Sequence, residues 1–228
     1  MTRPDRMERV LEPELMSDPN QAVAYANADF EESHSRAIEL LDAEFQRPRI
    51  DGSILDLGCG PGDITFRLAR RFPEASIAAV DGSAAMIELA NMRKERENDM
   101  GGNITFLEGR IPTAAIPRAS YDLIVSTSFL HHLPDPAVLW DTIIEHARPG
   151  CRVFVYDLFR PGSKEEARRL VDRYSGGEPD VLKRDFYHSL LAAFEPKEVE
   201  RQLVAAGLPG FSIKTVSDRH MIMFGVKA

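Results

Sequence analysis

Two hydrophobic periods alternate along the chain from residue 53 to residue 160. Short apolar runs bounded by glycine or polar residues, "SILDL" (53–57), "SIAAVD" (76–81), "NITFLEG" (103–109), "YDLIVSTS" (121–128) and "CRVFVYDLF" (151–159), read as buried strands. Between them lie stretches with apolar residues three and four apart. "DITFRLARRF" places Ile64, Leu68 and Phe72 on one face. Residues 83–97 form a second such helix, with Ser83 as N-cap, and residues 135–147 a third that ends before Pro149-Gly150. Strand alternating with helix implies parallel strands and right-handed crossovers. The expected fold class is therefore α/β, a Rossmann-like open, mostly parallel sheet with helices on both faces.

Outside that alternation, residues 31–45 align Ala37, Ile38, Leu41 and Phe45 as a helix. "EPKEVERQLVAAG" (195–207) has Pro196 near its start and Gly207 at its end, the asymmetry of a helix. "FSIKTVSD" and "RHMIMFGV" close the chain as two strands in a hairpin, which adds an antiparallel strand to the sheet. Residues 1–50 and 160–194 fall outside the strand–helix pattern.

Length and composition narrow the reading. A chain of 228 residues, 43% hydrophobic, suffices for one core, so a single domain is expected. A net charge of −8, with no basic tail or basic helix face, argues against nucleic acid or an anionic membrane as partner. The charged N-terminus has no apolar signal-peptide core. Cys59 and Cys151 stand far apart with no metal-ligand spacing. Both features fit reduced thiols in a cytoplasmic protein.

The candidate chemistry begins at "ILDLGCGPGD" (54–63). In an open α/β sheet, ligands bind beyond the carboxyl ends of the strands. Glycines there let a ligand approach the backbone, and the following helix presents unpaired N–H groups. A dinucleotide loop would read G-x-G-x-x-G; Gly58, Gly60 and Gly62 give G-x-G-x-G, with Asp63 next. Asp56 before the loop suits an ammonium group better than a pyrophosphate, and Asp81 at the end of the second strand is placed to accept from ribose hydroxyls. Loop and acid together describe a nucleoside with an amino-acid tail.

These segments resemble the class I S-adenosylmethionine-dependent methyltransferases. "ILDLGCGPG" is similar to that family's first motif and "AAVDGSAAMIELA" to its second. "FLEGRIP", "YDLIVSTSFLHHLPDP" and "RPGCRVFVYDLFRP" resemble the third, fourth and fifth. The likeness covers about residues 52–160 and returns at 194–226, nearest in flavour to enzymes that methylate small metabolites. It implies S-adenosylmethionine as cofactor, released as S-adenosylhomocysteine. It places Asp56, Gly58 and Gly60 around the methionine moiety, Asp81 at the ribose, and Gly82 and Met86 along ribose and adenine. It adds Cys59 as a small packing residue, Gly109 and Ile111 beside the adenine, and Ser126 at the end of the fourth strand. Arg110 departs from the pattern, because the family often has an acid there to meet the adenine amino group. The implied division is a helical cap (1–50), a cofactor-binding core (52–160), a lid insertion (160–194) and a last helix with the hairpin (195–228).

The implied reaction is transfer of a methyl group to a small-molecule acceptor by in-line displacement. His131 and His132 in "HHLPDP" are the candidates for a general base, with fixing of the loop as the competing role. No third histidine or acid recurs at ligand spacing, so no metal is expected. Tyr25 is placed to close over the donor. The segment 160–194, with Tyr174, Phe186, Tyr187 and Gly176-Gly177, reads as a mobile lid or else a homodimer contact. The competing functions are a protein or RNA methyltransferase, which needs a basic groove; a nicotinamide oxidoreductase, which the loop spacing disfavours; and a non-catalytic donor-binding regulator.

Overall fold

The computed structural model describes residues 7–12, 18–97, 103–117 and 120–228. Of the cap expected over residues 1–50, positions 1–6 and 13–17 lie outside the described residues. Seven strands form one sheet: β1 Ser53–Leu57, β2 Ser76–Asp81, β3 Ile104–Glu108, β4 Tyr121–Thr127, β5 Ala147–Leu158, β6 Ser212–Thr215 and β7 His220–Val226. Their order is β3-β2-β1-β4-β5-β7-β6. The pairs among β1 to β5 are parallel, and β7 runs antiparallel to both β5 and β6. The expected fold class and closing hairpin are both present. The strand order reverses direction between β1 and β4, and that is where an open α/β sheet leaves a crevice.

The strands are apolar on both faces because both faces are covered. Ile54, Leu123, Val125 and Phe154 pack with residues of α2 (Glu31–Glu44) and α3 (Asp63–Arg71). Leu55, Leu57, Ile124 and Val155 pack on the other face with residues of α5 (Ala137–His146) and α8 (Pro196–Ala205), around the fully buried Trp140. The fourth helix of the series, α4 (Ala84–Arg96), is capped by the Ser83 hydroxyl, which accepts from Met86 N at 3.4 Å. Gly207 ends the α8 segment with φ +74, as the sequence suggested.

Two elements differ from expectation, and a helix within the expected cap gains its bounds. The fifth strand starts at Ala147 rather than Cys151; a register shift between Tyr121 and Leu123 lets Pro149-Gly150 remain inside it. Residues 19–27 form a helix, α1 (Pro19–Asn27), with Asp18 as N-cap. The segment 160–194 is a helical pair, α6 (Lys164–Ser175) and α7 (Asp180–Ala192). Ala167, Leu170, Val171, Leu190 and Leu191 pack there with Leu158, joined by Phe186 and Tyr187. The Tyr174 hydroxyl donates to Asp218 at 2.7 Å and its ring lies under Arg219, tying α6 to the β6–β7 turn. Among the described residues, no helix is long and apolar enough to cross a membrane.

Candidate active site

A cavity of about 960 Å³ opens beyond the carboxyl ends of the first four strands. Its floor is the loop Leu57–Pro61 after β1, Asp81–Ser83 after β2, Gly109–Ile111 after β3 and Thr127–Phe129 after β4. Its roof is Tyr25–Glu31, together with Glu12. The Tyr25 and Phe30 rings lie 4.8 Å apart. Burial pushes the Tyr25 phenol up to about 12, and the Asp81 and Asp63 carboxylates add to the effect, so it remains a neutral hydroxyl.

The glycine loop is held from two sides. Gly58 N and Cys59 N donate to Val80 O at 2.8 and 3.0 Å. Asp81 accepts from Gly60 N with one carboxylate oxygen and from Ser83 N with the other, both at 2.8 Å. Burial raises the Asp81 carboxyl above its usual value despite these bonds. The glycines differ in their reasons. A Cβ on Gly58 would lie 2.3 Å from the Phe129 ring, whereas one on Gly60 meets nothing within 4 Å. Gly58 is needed for packing. Gly60 exposes bare backbone to the cavity at φ +53.

Of the residues singled out in the sequence, Gly58, Cys59, Gly60, Asp81, Gly82 and Met86 line the cavity. So do Gly109, Arg110, Ile111, Tyr25 and His132. Three do not. Asp56 is fully buried; its Oδ2 accepts from Thr65 Oγ1 at 2.6 Å and its Oδ1 has no partner among the described residues. Burial pushes its carboxyl up to about 7. Ser126 is fully buried and donates to Leu57 O at 2.9 Å, joining β4 to β1 beneath the loop. His131 is 3% exposed and faces Asp157 at 2.5 Å. Asp56 and Ser126 are strand residues turned toward the covered faces of the sheet, whereas His131 lies in the turn after β4 and faces Asp157.

His131 therefore stands outside the cavity lining, held against Asp157 in the turn after β4. Asp157, inside β5, accepts from Phe129 N and Leu130 N at 2.9 and 2.8 Å as well as from His131. It sets the turn Leu130–His132 that follows β4. Ser128, which leads into this turn, adopts φ +49, a left-handed conformation rarely taken by a side-chain-bearing residue. Burial alone would favour neutral His131, but the Asp157 charge and hydrogen bond outweigh it and its pKa is raised. Asp157 is lowered by the same pairing, against its burial.

Asp63, the residue after the glycine loop, also lines the cavity. It accepts from His34 Nδ1 and Arg67 Nε, each at 2.7 Å, and from Arg93 Nη1 at 3.0 Å. These partners outweigh burial and hold its carboxyl well below the usual range. The acid is neutralised within the protein and joins α2, α3 and α4 at the rim. Arg110 is exposed on the wall, with no ion pair among the described residues.

The expected lid is also relocated. No residue of 160–194 lines the cavity. That pair satisfies its own apolar face and holds the segment 7–12 instead: Val10 N donates to Leu191 O at 3.0 Å and Arg9 Nε to Ala192 O at 2.5 Å. The roof belongs to the segment before β1.

An open sheet with a glycine loop at the switch point and an acid ending β2 defines a nucleoside-cofactor enzyme. Residues 54–150 match a family described as "Methyltransferase domain". The chain is 29% identical over 164 residues to an uncharacterized methyltransferase of Mycobacterium tuberculosis, covering 71% of this chain and 80% of that one. It is 39% identical over 103 residues to a trans-aconitate 2-methyltransferase of Deinococcus radiodurans, 42% of this chain and 34% of that relative. The plantazolicin methyltransferase BpumL, solved with a pentazolic desmethylPZN analog and S-adenosylhomocysteine, superposes with a TM-score of 0.72 over 92% of each chain at 16% identity, a likeness of fold. Residues 54–150 are thus similar to a methyltransferase domain, and the sheet has the fold of solved S-adenosylmethionine-dependent methyltransferases.

Proposed function

We propose that this chain methylates a small-molecule acceptor inside the cavity, with Asp81 at the donor's ribose, Gly58–Gly60 beside its methionine end, and Met86 and Ile111 against its adenine. The observation that carries this is the cavity itself. At about 960 Å³ it lies at the upper end of small-molecule sites, with space for an acceptor beside the donor, and a roof of Tyr25–Glu31 covers it. A macromolecular substrate would need an open, basic groove, and the net charge of −8 does not supply one. The open space over Gly60 and the paired amide contacts of Asp81 fit a nucleoside with an amino-acid tail.

When bound, S-adenosylmethionine supplies an activated methyl group. The chain's own residues bring the acceptor within roughly 3–3.5 Å in line with it and exclude water. Phe129, Leu133 and Tyr25 give the remaining space apolar walls, and His132 gives it a polar one. The relatives named for trans-aconitate and plantazolicin fit an acceptor of metabolite or modified-peptide size.

Incubation with tritiated-methyl donor and a metabolite extract, then size fractionation, tests the reading. Label is expected in the low-mass fraction. Label confined to protein or RNA would contradict it. The two glycines give a second test. Gly60→Ala should melt only modestly lower, from the strain of alanine at φ +53, and lose S-adenosylhomocysteine affinity in calorimetry, because its Cβ enters the donor's space. Gly58→Ala should lower the melting temperature clearly further, because φ +76 is strained for alanine and Phe129 must also move. Equal behaviour of the two would show that the donor does not lie over Gly60.

A further inference from the structure

We propose that Glu12 is a positioning residue for His132, fixing the imidazole so that its Nε2 takes the proton of a hydroxyl or phenol acceptor; this rests on the methyl-transfer reading above. His132 lines the cavity, and its Nδ1 is ion-paired with the Glu12 carboxylate. The second oxygen of Glu12 accepts from Ser189 Oγ at 2.5 Å. Burial would raise the Glu12 carboxyl, but the His132 and Ser189 contacts hold it at about 2. Glu12 is thus a carboxylate at neutral pH and can only accept. The nitrogen against it carries the proton, and in a neutral imidazole the other nitrogen is then bare.

Glu12 reaches this place through a dedicated clamp. Arg9 Nη2 donates to His131 O at 2.9 Å and to Leu133 O at 2.8 Å, and its guanidinium lies 3.8 Å from the centre of the Phe194 ring. Segment 7–12 is thereby held between the "HHLP" turn and α7. The neighbouring His131 has the same chemistry, a carboxylate on Nδ1, but it is buried and does not line the cavity. The two rings lie 4.2 Å apart, so Asp157 and His131 form a fixed platform for the working pair.

Glu12, His131 and His132 each bring one ligand atom within 4.8 Å of the others, the outline of a metal site. The Nδ1 of each ring already faces a carboxylate, and the Arg9 cation is clamped on the same turn. Two carboxylate–imidazole pairs account for the cluster.

The pairing also selects the acceptor. A carboxylate acceptor has no proton to give, and the Glu12 charge beside His132 repels it. A hydroxyl or phenol has a proton that must leave. As the acceptor oxygen bonds to the methyl carbon, the C–S electron pair stays on sulfur as a neutral thioether and the acceptor proton passes to Nε2. The resulting imidazolium is stabilised by Glu12.

The test is the tautomer of His132, read by long-range proton–nitrogen NMR correlations on histidine-labelled protein. Wild type should show Nδ1 protonated and Nε2 bare. Glu12→Gln should keep that state, since the amide oxygen still accepts, while Glu12→Ala should lose it. Diethyl pyrocarbonate, which attacks a bare imidazole nitrogen, should modify His132 at Nε2 alone in wild type and in Glu12→Gln, at either nitrogen in Glu12→Ala, and His131 in none. His132 protonated on Nε2 in wild type, an unchanged tautomer in Glu12→Ala, or stoichiometric zinc binding lost in both variants would overturn the proposal. Calorimetry of wild type with S-adenosylhomocysteine separates this from the methyl-transfer reading: absent binding sinks that reading, whatever the tautomer.

Discussion

Asp81→Ala is expected to weaken S-adenosylhomocysteine binding by about a hundredfold or more in calorimetry. Two effects combine. Charge-assisted hydrogen bonds to the two ribose hydroxyls contribute roughly 1.5–3 kcal/mol each. The substitution also removes the acceptor that Gly60 N and Ser83 N share, so the glycine loop loses its hold on β2. Asp81→Asn should not recover most of this. Both carboxylate oxygens already accept from backbone amides, and an asparagine offers one acceptor and turns a second donor toward an N–H. An affinity within threefold of wild type for Asp81→Ala would place the ribose elsewhere.

The second large effect is on stability. Asp157→Ala removes a buried carboxylate that accepts from two backbone amides of the turn after β4 and pairs with His131. Breaking such a buried pair costs about 3–5 kcal/mol. For a chain of this size that corresponds to a melting temperature lower by roughly 6–20 °C. The wild-type pair also carries a pH signature. The lowered Asp157 gives stability that is complete above its ordinary value of 3.8 and lost as pH falls through its folded value. The raised His131 gives stability that is complete below its ordinary value of 6.5 and lost as pH rises through its folded value. Wild type should therefore gain most from the pair between these limits, and the difference between wild type and Asp157→Ala should shrink on both sides. A difference that does not vary with pH would show that the pair is not ionised.

The sheet was legible because each strand is a short apolar run with glycine or a charge at its end, and each helix keeps a single apolar face. The glycine loop at the cavity floor was legible for the same reason: Gly58, Gly60 and Asp81 lie at strand ends, where position in sequence fixes position in space. What stayed hidden depends on distant partners. Asp157 looks like one polar residue in the strand "CRVFVYDLF", and only the parallel pairing of β4 with β5 brings it under the turn that carries His131. Glu12 comes from a segment with no periodic signal and meets His132 only because α7 holds that segment. Asp56 shows the reverse error. Its place in the motif suggested a ligand contact, but the strand's side-chain alternation turns it inward to Thr65. The paired glycines at 176–177 suggested a hinge. Gly176 instead ends α6 in a right-handed conformation, where a Cβ would come 2.5 Å from Asp172 O.

A crystal structure with S-adenosylhomocysteine bound tests the central claim most directly. The account expects the ribose hydroxyls on Asp81, the homocysteine tail over Gly60, and the sulfur facing the space bounded by Tyr25, Phe129 and His132. A ligand that makes no contact with Asp81, or whose sulfur points away from His132, would contradict it.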